Sequence, residues 1–160
     1  MANKYNQLVF LKGKEKALDA LFLGKSDGAV SIPPAFGYLA LGYNETTTDN
    51  GFEDPDADPN ASSTVDKYGG FKEITDDENY SRVQLTSGGD VVYDTENNQV
   101  IKKYEAEILA NNTQHAINQF AICDNGDKNN EDTVIYSAAS FNTFQKNSDT
   151  SITFIIGFKI

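Results

Sequence analysis

Residues 150–160 read TSITFIIGFKI, and this stretch decides the fold. Ile152, Phe154, Ile156, Phe158 and Ile160 fall at every second position. A period of two places all of these side chains on one face of an extended strand, whereas a helix would scatter them around its axis. Each such side chain contributes roughly 1.5–3 kcal/mol when fully buried, so the row is enough to hold a strand against a core.

Working back along the chain, the same grammar repeats. TVIYSAASF (133–141) and AINQFAICD (116–124) read as strands, joined by the hairpin-like loop NGDKNNED (125–132). NNTQ (111–114) is a loop. In VIKKYEAEI (100–108), Val100, Tyr104, Ala106 and Ile108 point one way, while Lys103, Glu105 and Glu107 point the other. Lys102 interrupts the inner row, which predicts a strand that begins near a sheet edge. ENNQ (96–99) and SGGD (87–90) read as turns on either side of a short strand, VVYD. YSRVQLT (80–86) puts Val83 and Leu85 on one face and Arg82 and Gln84 on the other. GYLALGY (37–43) reads as a buried strand, and Pro33 and Pro34 stop regular pairing just before it.

Only the first part of the chain departs from this pattern. QLVFL (7–11) is a short apolar run expected to be a strand. After it, Ala17, Leu18, Leu21 and Phe22 recur at helical spacing and Gly24 stands where a helix is capped, which predicts a helix over about 14–23. About eight strands with polar turns and one short N-terminal helix predict a mainly β chain. The expected architecture is one domain over residues 1–160, an antiparallel β-sandwich or jelly-roll-like barrel. Residues 44–70 carry almost no aliphatic side chains and read as a long acidic loop, a length that in compact domains is usually functional or flexible.

Charge narrows the function. Residues 44–99 hold 14 acids and 3 bases, a balance of −11 that equals the formal charge of the whole chain. Residues 1–25 hold 5 lysines and 2 acids, or +3. A nucleic-acid binder carries a basic field, so this balance argues against DNA or RNA as a partner. No apolar run reaches the ~18 residues of a membrane span, and MANKYNQLVFLKGKEK lacks the features of a signal peptide. A single cysteine, Cys123, excludes an intramolecular disulfide and is expected to be a buried thiol.

In NGFEDPDADPNASS (50–63), Asp54, Asp56 and Asp58 alternate as calcium ligands do. Counted from Asp54, however, position six is Pro59 rather than Gly and position twelve is Val65 rather than Glu, so the calcium-hand reading fails. The three aspartates remain weak metal candidates only. His115 is the sole histidine and lies in a polar turn, NNTQHAIN, with no nucleophile elbow; it is expected to be an exposed loop residue. Glu105 and Glu107 share a strand face with glycosidase-like spacing, but such a reaction needs a cleft around them. Exposed tyrosines at 38, 43, 68 and 80 would instead favour a carbohydrate- or receptor-binding module. No catalytic constellation and no cofactor site emerges.

Six blocks in order carry a resemblance: ALDALFLG (17–24), FGYLALGY (36–43), GFKEITDDENYSRVQL (70–85), INQFAICD (117–124), DTVIYSA (132–138) and SDTSITFIIGF (148–158). Their order resembles small virion proteins of tailed bacteriophages, with a G-x-x-E-I … Y-x-R-V-x-L block at its centre. The 16 asparagines and one arginine are similar in flavour to the crAss-like phages. The resemblance implies a non-enzymatic β-sandwich in the virion, made in the host cytoplasm. It would be an auxiliary (decoration) capsid protein or, alternatively, a tail-fibre or receptor-binding component. Implied partners are other virion proteins, such as the major capsid protein or a head or tail fibre, and further copies of the chain. Candidate partner contacts are Lys4, Lys12, Lys14, Lys16, Phe52 and Tyr68.

Overall fold

The computed structural model describes residues 11–27, 30–45 and 71–160. The order is α1 (Leu11–Phe22), β1 (Lys25–Asp27), β2 (Val30–Ile32), β3 (Tyr38–Gly42), β4 (Val83–Gln84), β5 (Thr86–Asp94), β6 (Gln99–Ile108), β7 (Ala116–Cys123), β8 (Ile135–Gln145) and β9 (Ile152–Lys159). All pairings are antiparallel. β1 and β2 form a small hairpin; the other strands form a four-stranded sheet, β4-β3-β7-β8, and a three-stranded sheet, β5-β6-β9. The expected mainly β sandwich is therefore the observed fold, and the barrel is not closed.

The core forms where the inner rows of the two sheets face each other. Leu39, Leu41, Ile117 and Ile122 come from the four-stranded sheet, and Val100, Tyr104, Ala106 and Ile108 from the three-stranded one. Leu18 and Phe22 of α1 complete this cluster, as the helical spacing of residues 17–22 requires. The Phe22 ring stacks on Phe158 at 4.0 Å and lies 5.0 Å from Tyr104. Beyond α1, Gly24 takes φ 77°, the left-handed conformation of a helix cap; a Cβ there would lie 2.4 Å from the Ile32 carbonyl oxygen.

Several expectations need correcting. The helix opens at Leu11 rather than residue 14, so Leu11 is helical and the rest of the QLVFL segment lies outside the described residues. β6 is the central strand of its sheet, not an edge. Lys102 does sit in the inner row, buried, because its Nζ meets the Asp19 carboxylate of α1 at 2.6 Å. SGGD is not a turn. It lies within β5, where the register slips between Ser87 and Val91 and Gly89 takes φ 79°, so the strand bulges and continues. β8 runs on to Gln145. In the 150–160 row, Ile152, Phe154, Ile156 and Phe158 are half-buried against the core, while Ile160 is exposed. The cause is position: β9 is a sheet edge.

The two sides of the sandwich differ. On one side the chain passes directly from β4 into β5, changing sheet at Leu85, whose N–H donates to the Gly37 carbonyl. On the other side, β8 and β9 face each other without pairing, and rings meet there, Phe141 with Phe154 at 6.0 Å and Tyr136 with Phe158 at 5.9 Å.

Asp19 is the polar anchor of the helix. Its carboxylate also accepts from the Tyr104 hydroxyl, and burial, reinforced by this negative neighbour, pushes that hydroxyl above its ordinary pKa. Asp19→Ala leaves the Lys102 ammonium without its counter-ion and is expected to cost about 1–3 kcal/mol. Urea unfolding checks this, and Lys102→Met in the same background should restore much of the loss. An unchanged midpoint for Asp19→Ala would contradict the anchoring role.

Candidate functional site

Polar side chains with the fewest alternatives gather at the outer edge of β3. β4 pairs with β3 only at Tyr38 and Leu39, so the rest of that edge needs other hydrogen-bond partners. Residues 71–82 supply them. The Tyr43 N–H donates to the Lys72 carbonyl, the Ile74 N–H donates to the Leu41 carbonyl, and the Leu41 N–H donates to the Tyr80 hydroxyl at 2.9 Å. A tyrosine side chain thus stands where a neighbouring strand would be.

Tyr80 is in turn held by a buried ion pair. Glu73 accepts from Tyr80 Oη at 2.8 Å and from Arg82 Nε and Nη2, both at 2.8 Å. Arg82 Nη1 donates to the Asn125 carbonyl and to Thr133 Oγ1, tying in the β7–β8 connection. The Arg82 and Glu73 side chains are 3% and 5% exposed, so these contacts replace water almost completely. Burial acts against the guanidinium charge, but Glu73 outweighs it and holds Arg82 above its ordinary pKa. Burial and the Glu73 charge push the Tyr80 hydroxyl up as well, so it stays protonated as the donor.

A second set of contacts fixes the two ends of segment 46–70. Asn118 pairs with the backbone of Asn44 twice, accepting its N–H at 2.9 Å and donating to its carbonyl at 2.8 Å. Gln119 Oε1 accepts the Lys72 N–H at 2.9 Å. Both side chains come from the middle of β7 and are buried. Between these ends lies a groove of about 370 Å³, lined by Tyr43, Asn44, Glu45, Lys72, Glu73, Ile74, Asp76 and His115.

The groove is lined mostly by polar side chains. His115 Nδ1 lies 2.7 Å from the Ala116 carbonyl, and its ring packs edge-on to Tyr43 at 5.6 Å. It is half-buried, not the exposed loop residue expected, because the turn folds back onto Tyr43. Among the described residues, no serine, threonine or cysteine lines the groove. Glu73 is already committed to Tyr80 and Arg82.

The other candidates fall elsewhere. Glu105 and Glu107 lie on the outer face of the three-stranded sheet, Glu105 between Thr86 and Ile155 and Glu107 beside Thr153. They do not line this groove. Tyr80 is buried and Tyr38 and Tyr43 are half-buried, against the exposed tyrosine cluster that would favour a glycan module; Tyr68 lies outside the described residues. Asp54, Asp56, Asp58, Lys4 and Phe52 also lie outside them. Lys12 and Lys16 are on α1 with side chains outside the description, and Lys14 donates to the Asn98 carbonyl within the fold. Cys123 is buried, as expected, and burial pushes its thiol pKa up to about 11.

Two further ties could have been suspected only from isolated polar letters. Lys146 is buried, and its Nζ donates to the carbonyls of Ala110, Thr113 and Asn147. Asp77 collects the Thr113 hydroxyl and the amides of Asn79 and Gln114. No protein-family model, curated protein or solved structure matches the chain.

Partial burial pushes the Asp77 carboxyl up, but those hydrogen bonds outweigh it and hold its pKa below the ordinary value. Its stabilising contribution is therefore present above the ordinary carboxylate range and lost as pH falls through the lowered folded value. Asp77→Asn is expected to cost about 1–2 kcal/mol at neutral pH. Denaturant titrations should show the gap from wild type closing below about pH 4; a gap constant with pH would contradict the assignment.

Proposed function

We propose that the chain is a non-enzymatic structural protein of a bacteriophage particle, most specifically an auxiliary (decoration) protein bound to the capsid shell. One observation carries the reading. The polar letters of the central block, G-x-x-E-I … Y-x-R-V-x-L, are Glu73, Tyr80 and Arg82, and these three side chains meet in one buried cluster. The block's apolar letters, Ile74, Val83 and Leu85, belong to the same core cluster. The block that carries the resemblance is thus the part of the chain that completes the sandwich edge.

The location of the ties agrees with a scaffold role. Glu73, Arg82, Asp77, Lys146, Asn118 and Gln119 all spend their polar atoms on the chain itself. Asn118 and Gln119 tie Asn44 and Lys72, the described residues on either side of 46–70, and the acidic sequence between them suits a contact arm toward a neighbouring virion protein. Quantitative mass spectrometry and cryo-electron microscopy of purified particles test the proposal. The expected result is a copy number commensurate with that of the shell protein and density on the capsid surface. A few copies confined to the tail would transfer the chain to the tail-fibre reading, and absence from purified particles would overturn both.

A further inference from the structure

Among the described residues, β9 is an edge strand with none of the usual protections. Natural edges are blunted by charges, proline or bulges. From Ile152 to Phe158 β9 has no charged residue and no proline, and its register with β6 is unbroken. Ile155, at its centre, is 63% exposed, the most exposed large apolar side chain among the described residues. The ladder to β6 also fixes which backbone groups are free. Ile160 and Val100 exchange both N–H···O bonds, so by alternation the even-numbered residues of β9 bond to β6. The N–H and C=O groups of Thr153, Ile155, Gly157 and Lys159 therefore point away from the sheet, and no hydrogen bond reaches them among the described residues.

Charge selects the occupant. The neutral edges of both sheets lie on one side, β8 with 11 residues and β9 with 8, and these strands hold one charged side chain between them, Lys159. The opposite edges, β4 and β5, and the segment beside them hold the described acids of the 44–99 window, including Glu73, Asp76, Asp77, Glu78, Asp90 and Asp94. On a chain of formal charge −11, approach along β9 keeps the two acidic sides farthest apart. An antiparallel edge is also complementary to itself across a two-fold axis. With Phe154 on that axis, Thr153 of one copy exchanges backbone bonds with Ile155 of the other, and Asp149 comes opposite Lys159.

We propose that β9 pairs antiparallel with β9 of a second copy of this chain, joining two three-stranded sheets into one of six strands. The pairing covers the open side between β8 and β9. It takes Phe154, Ile156 and Phe158 from half-buried to buried, together with Phe141 and Phe144 of β8. The inference concerns the chain alone and does not depend on the virion reading.

Sedimentation of the purified chain across micromolar to millimolar concentrations tests it. Ile155→Pro removes one outward N–H without touching the ladder to β6, a position where an edge strand accepts proline. The wild type is expected to be a dimer. Ile155→Pro should raise the dissociation constant by at least ~100-fold, or about 2.7 kcal/mol, while the far-ultraviolet circular dichroism stays unchanged. Val92→Lys, on the opposite edge strand β5, should leave the dimer intact. If Ile155→Pro fails to fold, Ile155→Lys decides, with the same expected loss of the dimer. A wild type that stays monomeric at every concentration, whether or not it binds another protein, would overturn the proposal, as would a dimer that survives the substitution or is lost equally in Val92→Lys.

Discussion

The buried ion pair of Glu73 with Arg82 is the constraint on which the rest of the arrangement depends. β3 is a central strand by burial, yet its regular neighbour on one side, β4, is two residues long. Unpaired backbone groups on so buried a strand would be costly. Segment 71–82 removes that cost, but only if it stays against β3, and its closure relies on Glu73 and Tyr80 being held in place. Arg82 does this from the far end of the segment. A buried ion pair stabilises only when its remaining hydrogen-bonding capacity is met. Here the guanidinium reaches Glu73 with two nitrogens and Asn125 and Thr133 with the third, so one side chain unites β3, the start of β4 and the β7–β8 connection.

The same logic recurs at smaller scale. Lys102 tolerates the inner row because Asp19 arrives from the helix, and Lys146 is accepted among carbonyls at the 110–113 turn. Asn118 and Gln119 occupy an otherwise apolar strand because each replaces a missing backbone partner at one end of segment 46–70. The polar residues inside this sandwich thus connect parts of the chain that no strand pairing joins. This accounts for a site region in which Glu73, Arg82 and Asp77 bond to the chain's own groups.

What could be read from the sequence followed from periodicity. β9, β7 and β3 were legible because alternation or a short apolar run has one extended reading, and α1 because its apolar spacing and Gly24 agree. What could not be read depended on partners distant in sequence. Lys102 looked like a defect in β6 because Asp19 is 83 positions away. Arg82 read only as lying on the face opposite Val83 and Leu85, and its burial depends on Glu73, nine positions away. SGGD has turn composition, but Gly89 uses its positive φ to bulge β5 rather than reverse it. The three-residue strands β1 and β2 are too short to show any period. Of the candidate residues, Asp54, Asp56, Asp58, Lys4, Phe52 and Tyr68 lie outside the described structure. The groups that build the site region, Glu73, Tyr80, Arg82, Asn118 and Gln119, carried only one signal: polar letters beside or within apolar blocks.

The central claim is that Glu73 and Arg82 act as one structural unit rather than as a reactive pair, and a double-mutant cycle tests it most directly. Glu73→Gln, Arg82→Met and the double variant would be unfolded in urea alongside wild type. The account predicts that each single change destabilises strongly, by about 3–5 kcal/mol, because it strands the other charge in the interior. The double variant should lose far less than the sum, giving a coupling energy of about 2–3 kcal/mol. Additive losses with a coupling near zero would contradict the account.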